Sequence, residues 1–242
     1  MKKSIACFIL GCVLLALPVQ GAELALRNGK AVLLHAGGSK KLPDAEFPLK
    51  AAQNSPLRYV PVGEESAKKY GVEEGLYFFT ADNKPAGKLI TDAVDYCEAI
   101  SFSPDHKAFA MDSGVSALRE WEVFAYPSMK PLLKSEIDYV VASASSPAML
   151  WHGNDELVYT FMQTDTQRAC NYDPCGEVSV FRMNIKNGQE KPVQQASALC
   201  DYFLLGIDKD VVKVGKRCLK KVKDWEEYPE NVPLQPMNIP VR

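Results

Sequence analysis

The sequence predicts an all-β chain assembled from short antiparallel sheets that recur along its length, and three observations carry that expectation. Leu76-Tyr77-Phe78-Phe79, Trp121-Glu122-Val123-Phe124 and Val178-Ser179-Val180-Phe181 are aromatic and β-branched runs that fit a pleated, half-buried surface. Each run is followed by a turn with a Lys-Pro pair: Lys84-Pro85, Lys130-Pro131 and Lys191-Pro192. The closing phenylalanines, Phe79, Phe124 and Phe181, are 45 and 57 residues apart, the spacing of a repeated multi-strand unit.

The chain opens on Lys2 and Lys3, and Ser4 to Val19 is nearly all apolar. That polarity order marks a secretory signal, and the run is short for a bilayer span. Val19-Gln20-Gly21 has the small or tolerated side chains a signal peptidase inspects, so residues 1–21 are predicted to be removed. A competing reading takes Ile9-Leu10-Gly11-Cys12 as a lipobox, with the protein tethered through Cys12; the apolar residues continuing through Leu17 argue against it. No later segment is apolar enough to span a membrane, so the expected location is the periplasm or the exterior. Loss of Lys2 and Lys3 takes the formal charge from −2 to −4, a mild acidic balance that argues against nucleic acid as a partner.

Leu24 to Leu34 reads as a hairpin, because Asn28-Gly29 supplies the two positive φ values of a type I′ turn between apolar runs. Helix is predicted only around Glu64 to Tyr70, for one or two turns. Asp82-Asn83-Lys84-Pro85 and Lys186-Asn187-Gly188 are turn chemistry. A second series follows the first: Tyr96, Tyr139 and Tyr202, each after an aspartate, lie 43 and 63 residues apart. The long interval in both series brackets Asp165 to Cys175, so one insertion explains both. From Tyr228 to Arg242, Pro229, Pro233, Pro236 and Pro240 favour an extended strap.

The clearest unit runs from Tyr96 through Phe102-Ser103-Pro104-Asp105 and Asp112-Ser113-Gly114 to Glu120-Trp121-Glu122-Val123-Phe124-Ala125-Tyr126. It resembles one blade of the WD-repeat and related β-propellers, in which a Phe-Ser-Pro-Asp turn joins the first two strands and an aromatic third strand follows. Pro104 pre-sets φ for the turn and Asp105 hydrogen-bonds nearby backbone. The resemblance implies a β-propeller-like array over residues 22–227, of four or five blades, followed by a Pro-rich extended tail at 228–242. The Trp-Asp dipeptide of the namesake family is absent, and a two-sheet β-sandwich or an open solenoid are the alternatives.

Cys97, Cys170, Cys175, Cys200 and Cys218 stay after the leader is lost. In an oxidising compartment proximity pairs Cys170 with Cys175 and Cys200 with Cys218, leaving Cys97, which reads first as a buried, inert thiol, with pairing to another chain or a reactive thiol as the alternatives. Cys170 and Cys175 lack the second close pair a tetrahedral zinc site wants, so no metal and no cofactor are expected. His152, in Trp151-His152-Gly153-Asn154-Asp155-Glu156, could be drawn as a base with an orienting carboxylate nearby, but Gly153-Asn154-Asp155 is turn chemistry; His106 occupies an equivalent turn and His35 ends a strand. No nucleophile elbow, phosphate loop, dinucleotide fingerprint or His-Glu-x-x-His is present, so no catalytic residue is assigned.

Two features remain. The insertion carries Arg168, Tyr172 and Asp173 beside its disulfide and reads as a rigid recognition loop or as a stapled surface insertion. Lys213, Lys216, Arg217, Lys220, Lys221 and Lys223 read as the wet face of a strand pair or as a patch for an anionic partner. The function expected is therefore a non-enzymatic binding or scaffold module of the bacterial envelope, engaging another protein. The alternatives are a hydrolase or lyase on envelope glycan or peptide, with Asp105 and Asp155 converging at one end, and a small-ligand carrier.

Overall fold

A computed structural model describes residues 22–241 except 116–117, 135–139, 142–146, 165, 167, 169, 173–174, 227–228 and 230–231. The leader, Cys12, Tyr139 and Asp173 therefore lie outside the described residues.

The strands form five successive antiparallel meanders. The first is β1 (Glu23–Arg27), β2 (Lys30–His35) and β3 (Gly38–Lys41). The second is β4 (Lys50–Ala51), β5 (Arg58–Val62), the helix α1 (Glu64–Tyr70), β6 (Gly75–Phe79) and β7 (Pro85–Leu89). The third is β8 (Cys97–Phe102), β9 (Ala108–Val115), β10 (Leu118–Ala125) and β11 (Pro131–Lys134). A short strand, β12 (Val140–Val141), bridges it to the fourth, made of β13 (Met149–His152), β14 (Glu156–Gln163), β15 (Glu177–Asn184) and β16 (Glu190–Gln194). The fifth is β17 (Cys200–Asp208), β18 (Val211–Cys218) and β19 (Gln235–Pro240).

Local chemistry sets these elements. Asn28 and Gly29 take φ of 51° and 71°, the left-handed pair a type I′ hairpin needs, and Arg27 faces Lys30 across the turn. In α1 the acids Glu64 and Glu65 fill the first turn and Lys68 and Lys69 the last, opposing the helix dipole. Gly71, at φ 69°, ends the helix by donating its N–H to the Ala67 carbonyl. In the unit resembling a propeller blade, Asp105 accepts the Lys107 N–H at 3.2 Å, while the Ala108 N–H donates to Ser103 Oγ at 3.1 Å. The side chains of the turn thus make the hydrogen bonds that its backbone would otherwise lack.

The repeat has a concrete geometry. Phe79 faces Pro85, Phe124 faces Pro131 and Phe181 faces Pro192, and each time the register slips by a bulge just before the phenylalanine. Proline lacks the ladder N–H, so it is tolerated where an edge strand bulges. The tyrosine series is not equivalent in the same way: Tyr96 is 57% exposed ahead of β8, whereas Tyr202 is buried within β17.

Each meander packs on its neighbour in sequence. Leu24, Leu33 and Phe47 meet Val60 and Phe79 between the first and second, and Phe78 and Leu76 meet Phe102 and Phe109 between the second and third. Trp121 and Val123 meet Leu157 and Tyr159 across the next interface, and Val158 and Val180 meet Leu204 and Val214 across the last. This is an all-β, propeller-like array, not a pair of facing sheets. The proline-rich end differs from the expected strap: Met237, Ile239 and Val241 turn toward the last core, so residues 235–240 are the edge strand of the fifth meander. Pro236 and Pro240 fit there because an edge strand can spare an N–H.

Candidate functional site

The meander geometry gives the array two unlike ends. The turns from first to second strand lie together at one end: the Asp105 N–H donates to Asn154 Oδ1 at 3.0 Å, and His152 Nε2 lies 3.9 Å from Asp210 Oδ1. A parallel bridge between Gln53 and Ser101 sets the first strands of two neighbouring meanders in the same direction. The second-to-third connections and the runs between meanders therefore fall at the opposite end. That end carries the connections 63–74, 90–96, 164–176 and 219–234, with α1, two 3₁₀ turns (Ala93–Tyr96 and Val222–Trp225) and the stapled loop. Long loops on a rigid scaffold are where recognition residues concentrate.

A cavity of about 600 Å³ opens at this end, lined by Glu46, Lys50, Glu64, Glu65, Asp95 and Cys97 among others. Lys50 Nζ donates to the Cys97 carbonyl at 3.0 Å. Cys97 is a free, buried thiol, and burial pushes it up to about 12, so its nucleophilic thiolate is scarce at neutral pH. Arg119 grips Asp112 from β10 to β9 in a two-pronged contact, Nε to Oδ1 at 2.9 Å and Nη2 to Oδ2 at 2.7 Å. Burial raises the Asp112 carboxyl, and the Arg119 hydrogen bond and charge oppose that rise.

On the other side of the same end the loop between β14 and β15 carries Arg168, Tyr172 and the Cys170–Cys175 disulfide. Cys200 and Cys218 are also bonded, joining residues directly opposite on β17 and β18. Arg168 is not displayed to solvent as the sequence suggested; its side chain is fully buried against Asp201. Nη1 donates to Asp201 Oδ1 at 2.6 Å and to the Gly176 carbonyl at 2.8 Å, and Nη2 donates to the Ser197 carbonyl at 2.7 Å. The guanidinium lies 4.0 Å over the Trp225 ring. Asp201 also accepts the Val178 N–H at 2.9 Å. Burial pushes the Asp201 carboxyl up to about 6, and the Arg168 charge is the chief effect holding it down. The cation is inside because three acceptors and an indole converge on it, so Arg168 holds the loop from beneath. Asn171 is exposed on the loop and Tyr172 half-buried.

The remaining candidates sit elsewhere. His152 Nδ1 is 2.9 Å from Glu156 Oε2, which also meets Arg182 Nη1 at 3.6 Å; this cluster links β13, β14 and β15 at the turn end. Asp105 and Asp155 do share that end, yet Asp105 caps its own turn and Asp155 pairs with Lys186 at 2.6 Å. His106 is exposed in its turn and His35 at the end of β2. In the basic stretch Lys213 lies 3.7 Å from Asp208, Arg217 donates to the Val232 carbonyl at 3.1 Å, and Lys220, Lys221 and Lys223 are exposed. Among the described residues no group of three or more His, Cys, Asp or Glu side chains is placed to hold a metal ion. No described helix is long and apolar enough to cross a membrane.

Sequence reasoning missed Asp201, Ser197 and Trp225 as the seat of Arg168. The available signal was Asp201 itself, a lone acid opening the apolar run Tyr202-Phe203-Leu204-Leu205, because a charge entering a core strand needs a partner.

The class defined by fold and site is a propeller-like all-β protein with its elaborated loops at one end. No protein-family model matches the chain, and no curated protein sequence does. Solved structures similar to it include the β-propeller domain of the trilobed protease from Pyrococcus furiosus, at 10% identity and TM-score 0.44, over 84% of this chain and 61% of that one. The acylaminoacyl peptidase of Pyrococcus horikoshii aligns at 11% identity and TM-score 0.44, over 79% of this chain and 31% of that one. TolB from Acinetobacter baumannii aligns at 9% identity and TM-score 0.39, over 91% of this chain and 51% of that one. In each case this chain spans less than two thirds of the other protein's length.

Proposed function

We propose that this chain is an exported, non-enzymatic binding module of the bacterial envelope that engages another protein through the loops at its elaborated end. The observation that carries the reading is the seating of the stapled loop. A disulfide closes it between Cys170 and Cys175, Arg168 anchors it through three hydrogen bonds and a stacked indole, and between the two cysteines Asn171 is exposed and Tyr172 half-buried. Ordering a loop before it meets a partner removes the entropy cost of ordering it on binding. Two disulfides fit an oxidising compartment, in keeping with export.

The test is capture from envelope extract with the mature protein beside a Cys170→Ser/Cys175→Ser variant. A protein retained by the first and lost from the still-folded second supports the loop as the recognition element. Equal capture by both, or none by either, removes the loop from that role.

A further inference from the structure

The Cys170–Cys175 staple and the Arg168 anchor close the same stretch of chain, one inside the other. Gly176, whose carbonyl accepts from Arg168, directly follows Cys175, so the disulfide holds the loop's two ends at the separation that hydrogen bond requires. From that position the guanidinium reaches Ser197 and Asp201 in and before β17, and stacks on Trp225 beyond β18. The Asn171 N–H adds a 2.7 Å hydrogen bond to the Glu226 carbonyl. A loop of the fourth meander thereby ties down both the entry to the fifth and the segment leading to its last strand. Among the described residues the apolar clusters join the fifth meander to the fourth, and none joins it to the first. Among the described residues the anchor is also incompletely satisfied: Arg168 Nε and Trp225 Nε1 are buried and meet no acceptor there. A polar network with orphaned donors holds by a narrow margin. Both Cys170 and Cys175 are half-buried, within reach of a reductant.

We propose that the Cys170–Cys175 disulfide is the removable part of a redox-sensitive clasp, whose reduction releases Arg168 from the fifth meander and loosens that meander's connections together with the loop. The reductant is a dithiol. Its thiolate attacks one cysteine sulfur, the Sγ–Sγ bond breaks, and its second thiol resolves the mixed disulfide; two electrons and two protons pass to Cys170 and Cys175, and the dithiol leaves as a disulfide. Freeing a ring this short shifts loop closure by a factor on the order of 40. Cys200–Cys218 differs because the β17–β18 ladder keeps its two residues opposed after reduction. The clasp names the regulation of the recognition loop and rests on that reading for its consequence, while its test needs no partner.

Hydrogen exchange by mass spectrometry is compared among the mature protein, Cys170→Ser/Cys175→Ser and Arg168→Met. At least tenfold faster exchange at 164–176, 197–201 and 222–226 is expected in both variants, with peptides from β1 to β7 unchanged. Graded dithiothreitol is expected to reduce Cys170–Cys175 before Cys200–Cys218 and to give the same exchange pattern. Faster exchange confined to 164–176, or none, overturns the clasp, as does faster exchange through all five meanders or the opposite order of reduction. A clasp that passes while extract capture fails leaves the conformational device standing and removes only the recognition role.

Discussion

Arg168 lies in a polar stretch that reads as surface, yet its cation is sealed between Asp201, two carbonyls and Trp225. A buried ion pair contributes little against an apolar replacement of both partners, but removing one strands the other. Arg168→Met is therefore expected to lower the unfolding free energy by about 3 kcal/mol at neutral pH, read from urea midpoints. The pH dependence has a definite sign. A carboxyl raised in the fold contributes stability that is complete below its unfolded value near 3.8 and lost as pH rises through about 6. Without the cation Asp201 is raised further, so the variant's deficit should widen as pH rises from acid to neutral. A deficit indifferent to pH would mean that Arg168 is not what holds the ionised carboxylate. Only Asp201, an acid opening a core strand, gave a local sign of this; it and Trp225 are remote from Arg168 in sequence, and only the fold brings them together.

At the scale of the element, the features that could be read were those whose cause is local. Asn28-Gly29 forces its hairpin, and the charge order of Glu64 to Lys69 favours its short helix. The Phe and Lys-Pro recurrence is an edge strand bulging where proline cannot donate. The last strand was hidden because Pro236 and Pro240 interrupt the alternation of Met237, Ile239 and Val241, and prolines at that spacing look like an unpaired strap. Gly75, opening β6, tests how tightly the second meander is drawn. Its φ is +147°, and an added Cβ would lie 2.2 Å from the Leu89 carbonyl oxygen. Backbone has no flexible end to move aside, so Gly75→Ala should part β6 from β7 and cost roughly 3 kcal/mol. A urea midpoint within error of the parent would show that the pairing of Leu76 with Leu89 yields more easily than this geometry implies.

For the whole molecule, the legible quantity was the period and the illegible one was polarity. Intervals of 45 and 57 residues imply repeated meanders, but which connections share an end depends on the direction of every first strand, and that direction emerges only on assembly. Once it is set, Asp105 and Asp155 go to the end of short turns, and the stapled loop goes with α1 and the charged cavity to the other. Asp105 and Asp155 are thus occupied in turns, while the longer loops lie at the other end of the strands. If recognition belongs to the loop end, Lys107→Glu with Lys209→Glu at the turn end should leave the protein retained from envelope extract within twofold of the parent. Tyr172→Ala, which removes an aromatic from the anchored loop and leaves Arg168 and the disulfide in place, should reduce it at least tenfold, the effect of deleting an aromatic anchor. The reverse ranking would move the interface to the short turns, where mixed charge from Lys107, Lys209 and Asp210 would have to supply the contact.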